Sequence, residues 1–320
     1  MAEKHAEMHL LDLMICRIPG LKGNERVNLV KKFCKVEDLL SLSKMAVEEI
    51  LGRAIKSWDL PKIQTLANMD AGHSVKLGIN VVSWRDSTYP PLLREIFDPP
   101  ALLFYRGKLP DPEKPLVAVV GTRKPTSQAA ERAYELSREL GDNAIPVVSG
   151  LALGIDSMAH RGNLAARAPT VAVLGSSPDN VYPSSNRDLA RRILETGGLI
   201  VSEYPPGTRP LKWNFPERNR IISGLARGTV VVEAPEKSGA LITARFALDQ
   251  DRDLWVHKAG ITPKRGAGTA RLADDGAGVI TSAGDILAEW NIPLNKWTEN
   301  ETTTSSGIAY SLAEYLDIKL

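Results

Sequence analysis

Two cysteines, Cys16 and Cys34, are all that the sequence contains. A disulfide framework is therefore excluded, as is a four-thiolate metal cluster. The cysteines lie among helical patterns and are expected to be reduced, buried thiols. The chain also lacks any uncharged apolar run near the roughly 18 residues needed to span a bilayer, so a soluble cytoplasmic protein with no membrane association is expected. Charge of one sign is missing too: 40 Lys and Arg stand against 38 Asp and Glu, for a net charge of +2. Such a balance argues against a uniformly basic nucleic-acid coat, and any nucleic-acid site must be a local patch. Neither a GxGxxG dinucleotide fingerprint nor the Gly-Lys-Ser/Thr of a P-loop follows the first strand pattern. What is present is 320 residues with 43% hydrophobic content, enough for one large domain with smaller appendages.

From His9 to about Ala71, apolar residues recur at helical spacing. Gly and Pro concentrate in one early turn, Ile18-Pro19-Gly20-Leu21-Lys22-Gly23. Its form suits a helix-hairpin-helix, in which glycines let amides at a helix start approach a DNA phosphate, although an ordinary helix-helix turn uses the same residues. Residues 1–75 are assigned to this helical domain. From Ile79 to Lys108 the sequence reads as extended and turn structure, because its prolines exclude a continuous helix.

From Leu116 onward, β-rich runs alternate with helical stretches: Leu116–Val120, Ile145–Ser149, Thr170–Leu174, Leu199–Ser202, Thr229–Glu233 and Leu254–His257. Six strands with helices between them predict an α/β fold, an extended Rossmann-like, doubly wound, mostly parallel sheet over residues 76–290. The small N-terminal domain is expected to be SAM-like or helix-hairpin-helix-like. After Trp290 a linker and a short helix, Ile308–Leu320, complete the chain over 291–320.

Nearly every strand pattern ends in or beside Gly, Ser or Glu, which gathers candidate ligand groups at the carboxyl edge of the sheet. The first strand runs into Gly121, Thr122, Arg123 and Lys124, a glycine turn with hydroxyls and two cations. The second ends in Ser149 and Gly150, with Gly154 before the next helix. Asp156 and His160, four apart, share a helix face and are either an acid/base pair or a cap and a structural histidine. Tyr182 is a candidate to stack on a base. Lys212, Phe215, Arg218, Asn219 and Arg220 interleave aromatic, cationic and amide groups, as a single-strand groove requires. Lys237, Ser238 and Gly239 open another helix with free amides. Glu233 has no nucleophile or metal cluster near it in sequence, so no catalytic set, metal or cofactor is assigned.

Across Tyr89 to Ala277 these blocks resemble the DprA/Smf family. The resemblance rests on Val119-Val120-Gly121-Thr122-Arg123, Ser149-Gly150 to Gly154-Ile155-Asp156 with Ala159-His160, Val181-Tyr182-Pro183, and Ser202-Glu203-Tyr204-Pro205-Pro206-Gly207. It continues through Phe215-Pro216 to Arg218-Asn219-Arg220-Ile221-Ile222-Ser223, and Val232-Glu233-Ala234 to Ser238-Gly239-Ala240 with Thr243-Ala244. It implies single-stranded DNA binding, a homodimer, interaction with RecA and protection of incoming DNA during natural transformation, without catalytic turnover. The sequence departs from the family at Val256-His257-Lys258-Ala259-Gly260, where Val-Pro-Gly is usual, and at Gly268-Thr269-Ala270, where Gly-Thr-Asn is usual. These departures fall on the expected dimer face and its neighbouring loop. The C-terminal winged helix of many relatives does not fit after Trp290, so duplex contacts from it are not expected. A rival reading is a nucleotide-binding or nucleotide-processing enzyme of the related phosphoribohydrolases. Their Pro-Gly-Gly-x-Gly-Thr-x-x-Glu run is replaced here by Ala234-Pro235-Glu236-Lys237-Ser238-Gly239-Ala240.

Overall fold

The computed structural model describes residues 2–294, with side chains from His9 onward; of the linker and helix expected over 291–320, residues 295–320 lie outside the described residues. Five helices open the chain: α1 (Ala2–Cys16), α2 (Gly23–Lys32), α3 (Val36–Leu40), α4 (Lys44–Leu51) and α5 (Leu60–Leu77). Local chemistry sets their ends. Ser43 accepts the Ala46 amide and Asp59 the Lys62 amide, while Gly78 closes α5 in the left-handed conformation at φ +61°.

Leu11, Met14, Ile15, Leu29 and Val47 pack together with Leu102 and Phe104 of the sheet. Helical module and sheet therefore share a core, and the expected boundary at residue 75 falls inside α5. In the glycine turn between α1 and α2 an internal carboxylate already takes one amide. The Asn24 amide donates to Asp98 (2.9 Å), and a side chain at Gly23 would run into the Pro99 carbonyl. Of the two cysteines, Cys34 is exposed, contrary to the expectation of burial, because it lies just past the end of α2.

The remaining elements are β1 (Asn80–Ser83), α6 (Pro91–Glu95), β2 (Leu102–Gly107), β3 (Val117–Val120), α7 (Ser127–Asp142), β4 (Val147–Ser149), α8 (Ile155–Ala165), β5 (Val171–Val173), α9 (Arg187–Glu195), β6 (Leu199–Ser202), α10 (Asn214–Leu225), β7 (Gly228–Val231), α11 (Gly239–Asp249), β8 (Asp253–His257), α12 (Ala267–Asp274), β9 (Gly278–Ile280) and α13 (Ala283–Glu289). They form one nine-stranded sheet in the order β1-β2-β6-β5-β4-β3-β7-β8-β9. β1 pairs antiparallel with β2, and β2 with β6, while the other pairings are parallel. This is the expected doubly wound, mostly parallel Rossmann-like sheet.

Strand residues alternate between two covered faces, as a sheet sandwiched by helices requires. Val117, Val119, Val230 and Val232 meet α7 and α8, whereas Ala118, Val120, Val148 and Val231 meet α10 and α11. The six expected strands correspond to β3 to β8. The extended segment before them adds β1 and β2 as an antiparallel edge, and β9 was not anticipated. Among the described residues no helix is long and apolar enough to cross a membrane.

Candidate nucleic-acid interface

From β3 the chain winds outward through β4, β5 and β6, then crosses back to β7 on the other side of β3. The loops after β3 and β7 therefore diverge from adjacent strands, the position where doubly wound sheets bind ligands. A groove of about 910 Å³ opens there. Glu233 at the end of β7 ties the two loops together. Its carbonyl accepts the Thr122 amide (2.7 Å) and its carboxylate accepts the Thr126 amide (2.7 Å), while Thr126 caps α7. The first loop is thus fixed from behind, and Arg123 and Lys124 stay exposed.

Helix α10 supplies the floor. At 3.6 residues per turn, Phe215, Arg218, Asn219 and Ile222 share one face, and all four line the groove. The Phe215 ring lies 5.6 Å from the ring of half-exposed Tyr182, and the Arg123 guanidinium sits 5.8 Å over Phe215. Arg218 is buried and spends its guanidinium on the protein. It donates to the Gly150 carbonyl (2.7 Å), the Val173 carbonyl and Asn219 Oδ1 (3.1 Å). Burial lowers its pKa to about 10, against the favourable charge of Asp156. Asn219 in turn donates to the Gly239 carbonyl (3.2 Å), joining floor to the start of α11.

Several residues expected at the phosphates serve the scaffold instead. Ser149 is buried and donates to the Val119 carbonyl (2.7 Å). The Gly150 amide donates to Asp156 (3.2 Å), so an internal carboxylate already holds the place foreseen for a phosphate. A side chain at Gly150 would overlap the Arg218 guanidinium, and one at Gly154, where φ is +78°, would strike the Thr122 carbonyl. Those glycines make room for neighbours within the protein rather than for a ligand. Arg220 is a further correction. It projects from the opposite side of α10, buried, with Glu203 at 2.7 Å and Asp98 at 3.1 Å. Helical phase separates it from Arg218, two residues away.

Asp156 and His160 do not act as a pair. Asp156 accepts the Gly150 and Ala152 amides, bracing the loop ahead of its helix rather than capping α8, and burial raises its pKa. Thr170 donates to the Val147 carbonyl, so its hydroxyl accepts from His160 Nδ1 (2.8 Å). Burial depresses the His160 pKa to about 3 and keeps the ring neutral.

Two cations escaped the sequence reading. Lys264 and Arg265, in the loop after β8, line the same groove. The signal was available: Pro263-Lys264-Arg265-Gly266 follows a strand pattern at the edge where the other loops converge. With Arg123, Lys124, Lys212 and Lys237 they ring the groove with exposed positive charge, and the acid in its lining, Asp156, is buried beneath. Ser238 caps α11 through the Ala240 amide, and Gly239 borders open space. A polyanion with flat groups fits this arrangement: cations for phosphates, a Tyr182–Phe215 surface for bases.

Comparison with known proteins agrees. The family model for DNA recombination-mediator protein A matches residues 80–291, a span holding every strand of the sheet and every loop of the groove. The chain is 35% identical over 283 residues to the DNA processing protein DprA of Bacillus subtilis, covering 87% of this chain and 94% of that one. The crystal structure of DprA from Streptococcus pneumoniae superposes with a TM-score of 0.73 at 34% identity, over 88% of this chain and 97% of that one. DNA processing protein A from Helicobacter pylori, described for its single-stranded DNA binding mode, gives a TM-score of 0.59 at 30% identity over 67% of this chain and 95% of that one. With fold, groove and near full-length relatives in agreement, the chain belongs to the DNA recombination-mediator protein A family.

Proposed function

We propose that this protein binds single-stranded DNA in the groove at the sheet edge and acts as a recombination mediator, protecting incoming DNA and loading RecA onto it as a homodimer. The carrying observation is the ring of exposed cations around an aromatic surface, over a floor whose polar groups are already paired with one another. Phosphates and base faces find partners there, whereas base edges meet few unsatisfied groups, so the site grips a strand with little dependence on sequence. No catalytic turnover is assigned to it, because Asp156 and His160 are each committed to structural hydrogen bonds. The relatives support the DNA reading, and the Helicobacter pylori protein supports the single-stranded form.

Gel shifts at moderate salt test the core of the proposal: oligo-dT should bind more tightly than duplex of equal length, and equal or tighter duplex binding would refute it. RecA ATPase on strands coated with single-strand-binding protein should rise on addition of the protein. Light scattering at micromolar concentration should give a mass of two chains.

A further inference from the structure

The basic groove does not end at the start of α11. Lys237, Ser238, Gly239 and Ile242 line it, and the same four residues form the near wall of a second depression of about 720 Å³ that runs to Arg245, Phe246 and Asp249. Residues 239, 242, 245, 246 and 249 fall on one face of an α-helix. Arg245 therefore stands roughly 9 Å further along the axis than Gly239, at 1.5 Å per residue. A side chain at Gly239 would meet nothing within 4 Å, so the passage between the two depressions is open.

The Arg245 side chain is 84% exposed, and its contact with the exposed carboxylate of Asp249, at 4.0 Å, is a screened pair of little strength. Its guanidinium is available to a phosphate. Ile242, 38% exposed, and partly buried Phe246 present apolar surface beside it.

We infer that a single strand seated in the groove continues over the first turn of α11 into this second depression, where Arg245 takes a further phosphate and Ile242 and Phe246 receive a base. The inference rests on the proposed function. Lys237, which borders both depressions, faces the backbone between the two sites. Glu236 and Asp249 oppose a polyanion at the second site, so it is the weaker one and fills only when the first already holds the strand.

Fluorescence anisotropy on the full chain with labelled oligo-dT of increasing length tests this, using Arg245→Ala, Glu236→Gln and, as control, Arg191→Ala. Arg191 is also exposed and pairs with Glu195 four residues on, but it lies on α9. The shortest oligomers should bind wild type and Arg245→Ala alike. Longer ones should bind Arg245→Ala about fivefold or more weakly, with a salt slope smaller by about one. Glu236→Gln should tighten only the longer ones, and Arg191→Ala should match wild type. The second site is overturned if Arg245→Ala keeps the wild-type length dependence, loses affinity equally at all lengths, or loses no more than Arg191→Ala. Should Arg123→Ala abolish binding while Arg245→Ala changes nothing, this inference alone falls; if the wild type binds no oligonucleotide, the proposed function falls with it.

Discussion

Arg123, Arg218 and Arg220 carry the same charge and lie in chemically similar sequence, yet the structure gives them three different tasks. Arg123 is exposed at the rim, Arg218 holds loop carbonyls beneath the floor, and Arg220 anchors an ion-pair network on the far side of α10. Arg123→Ala is expected to weaken oligonucleotide binding by about 1–3 kcal/mol and lower the salt slope by about one, with the urea midpoint unchanged. Arg220→Ala should do the reverse. Removing one member of a buried pair strands the Glu203 and Asp98 charges and costs about 3–5 kcal/mol of stability, while the DNA affinity of the folded fraction stays near wild type. Urea unfolding and anisotropy on the same samples separate the two, and a binding defect in Arg220→Ala as large as that of Arg123→Ala would return Arg220 to the interface. Gly150→Ala is a second probe of the floor. Its methyl would overlap the Arg218 guanidinium, so both stability and the shape of the groove should suffer.

At the scale of the element, α8 shows how a feature that looks catalytic in sequence becomes structural once packed. His160 is fully buried against Thr170, and its pKa is depressed to about 3. In the unfolded chain the ring has its ordinary pKa of about 6.5, so between those values the unfolded state binds the extra proton. Stability from this residue is therefore complete above about pH 6.5 and is lost as the pH falls towards 3, by about 1.4 kcal/mol per pH unit. Buried His257, also shifted down, adds to the same trend. His9 opposes it: its pKa is raised by Asp86, so its contribution is present below about 6.5 and fades as the pH rises through the raised value. Urea titrations from pH 7 down to pH 5 should show a steep loss in wild type and a shallower one in His160→Gln; identical slopes would remove His160 from the account.

At the scale of the whole molecule, the core of the helical module takes in residues of β2. Phe104 and Leu102 of β2 pack among Leu11, Met14 and Val47 of the helices, and buried Asp12 of α1 pairs with Arg85 just past β1 at 2.6 Å. One cooperative unfolding transition is expected, in which probes near Trp58 of the module and Trp255 of the sheet report the same midpoint. Asp12→Ala should cost about 3–5 kcal/mol of stability and so lower that common midpoint without splitting it. Two separated transitions in the wild type would show that the module folds on its own.

Much of this architecture was written locally. Runs such as Val117–Val120 and Val171–Val173 are β-branched or small and end in polar turns, so the strands, their parallel winding and the ligand-bearing edge followed from side-chain shape and periodicity. Gly121, Arg123, Lys124, Phe215, Lys237 and Gly239 were expected at that edge for the same reason, and they line the groove there. Local pattern did not contain the antiparallel addition of β1 and β2, which depends on pairing with β6 across nearly a hundred residues. Nor did it contain the arrival of Lys264 and Arg265 at the groove from the loop after β8. The separation of Arg218 from Arg220 and the use of the Gly150 amide by Asp156 were equally out of reach. Each depends on the rotational phase at which a helix docks on the sheet, and that phase is set by packing against residues distant in the chain, which only the tertiary structure brings together.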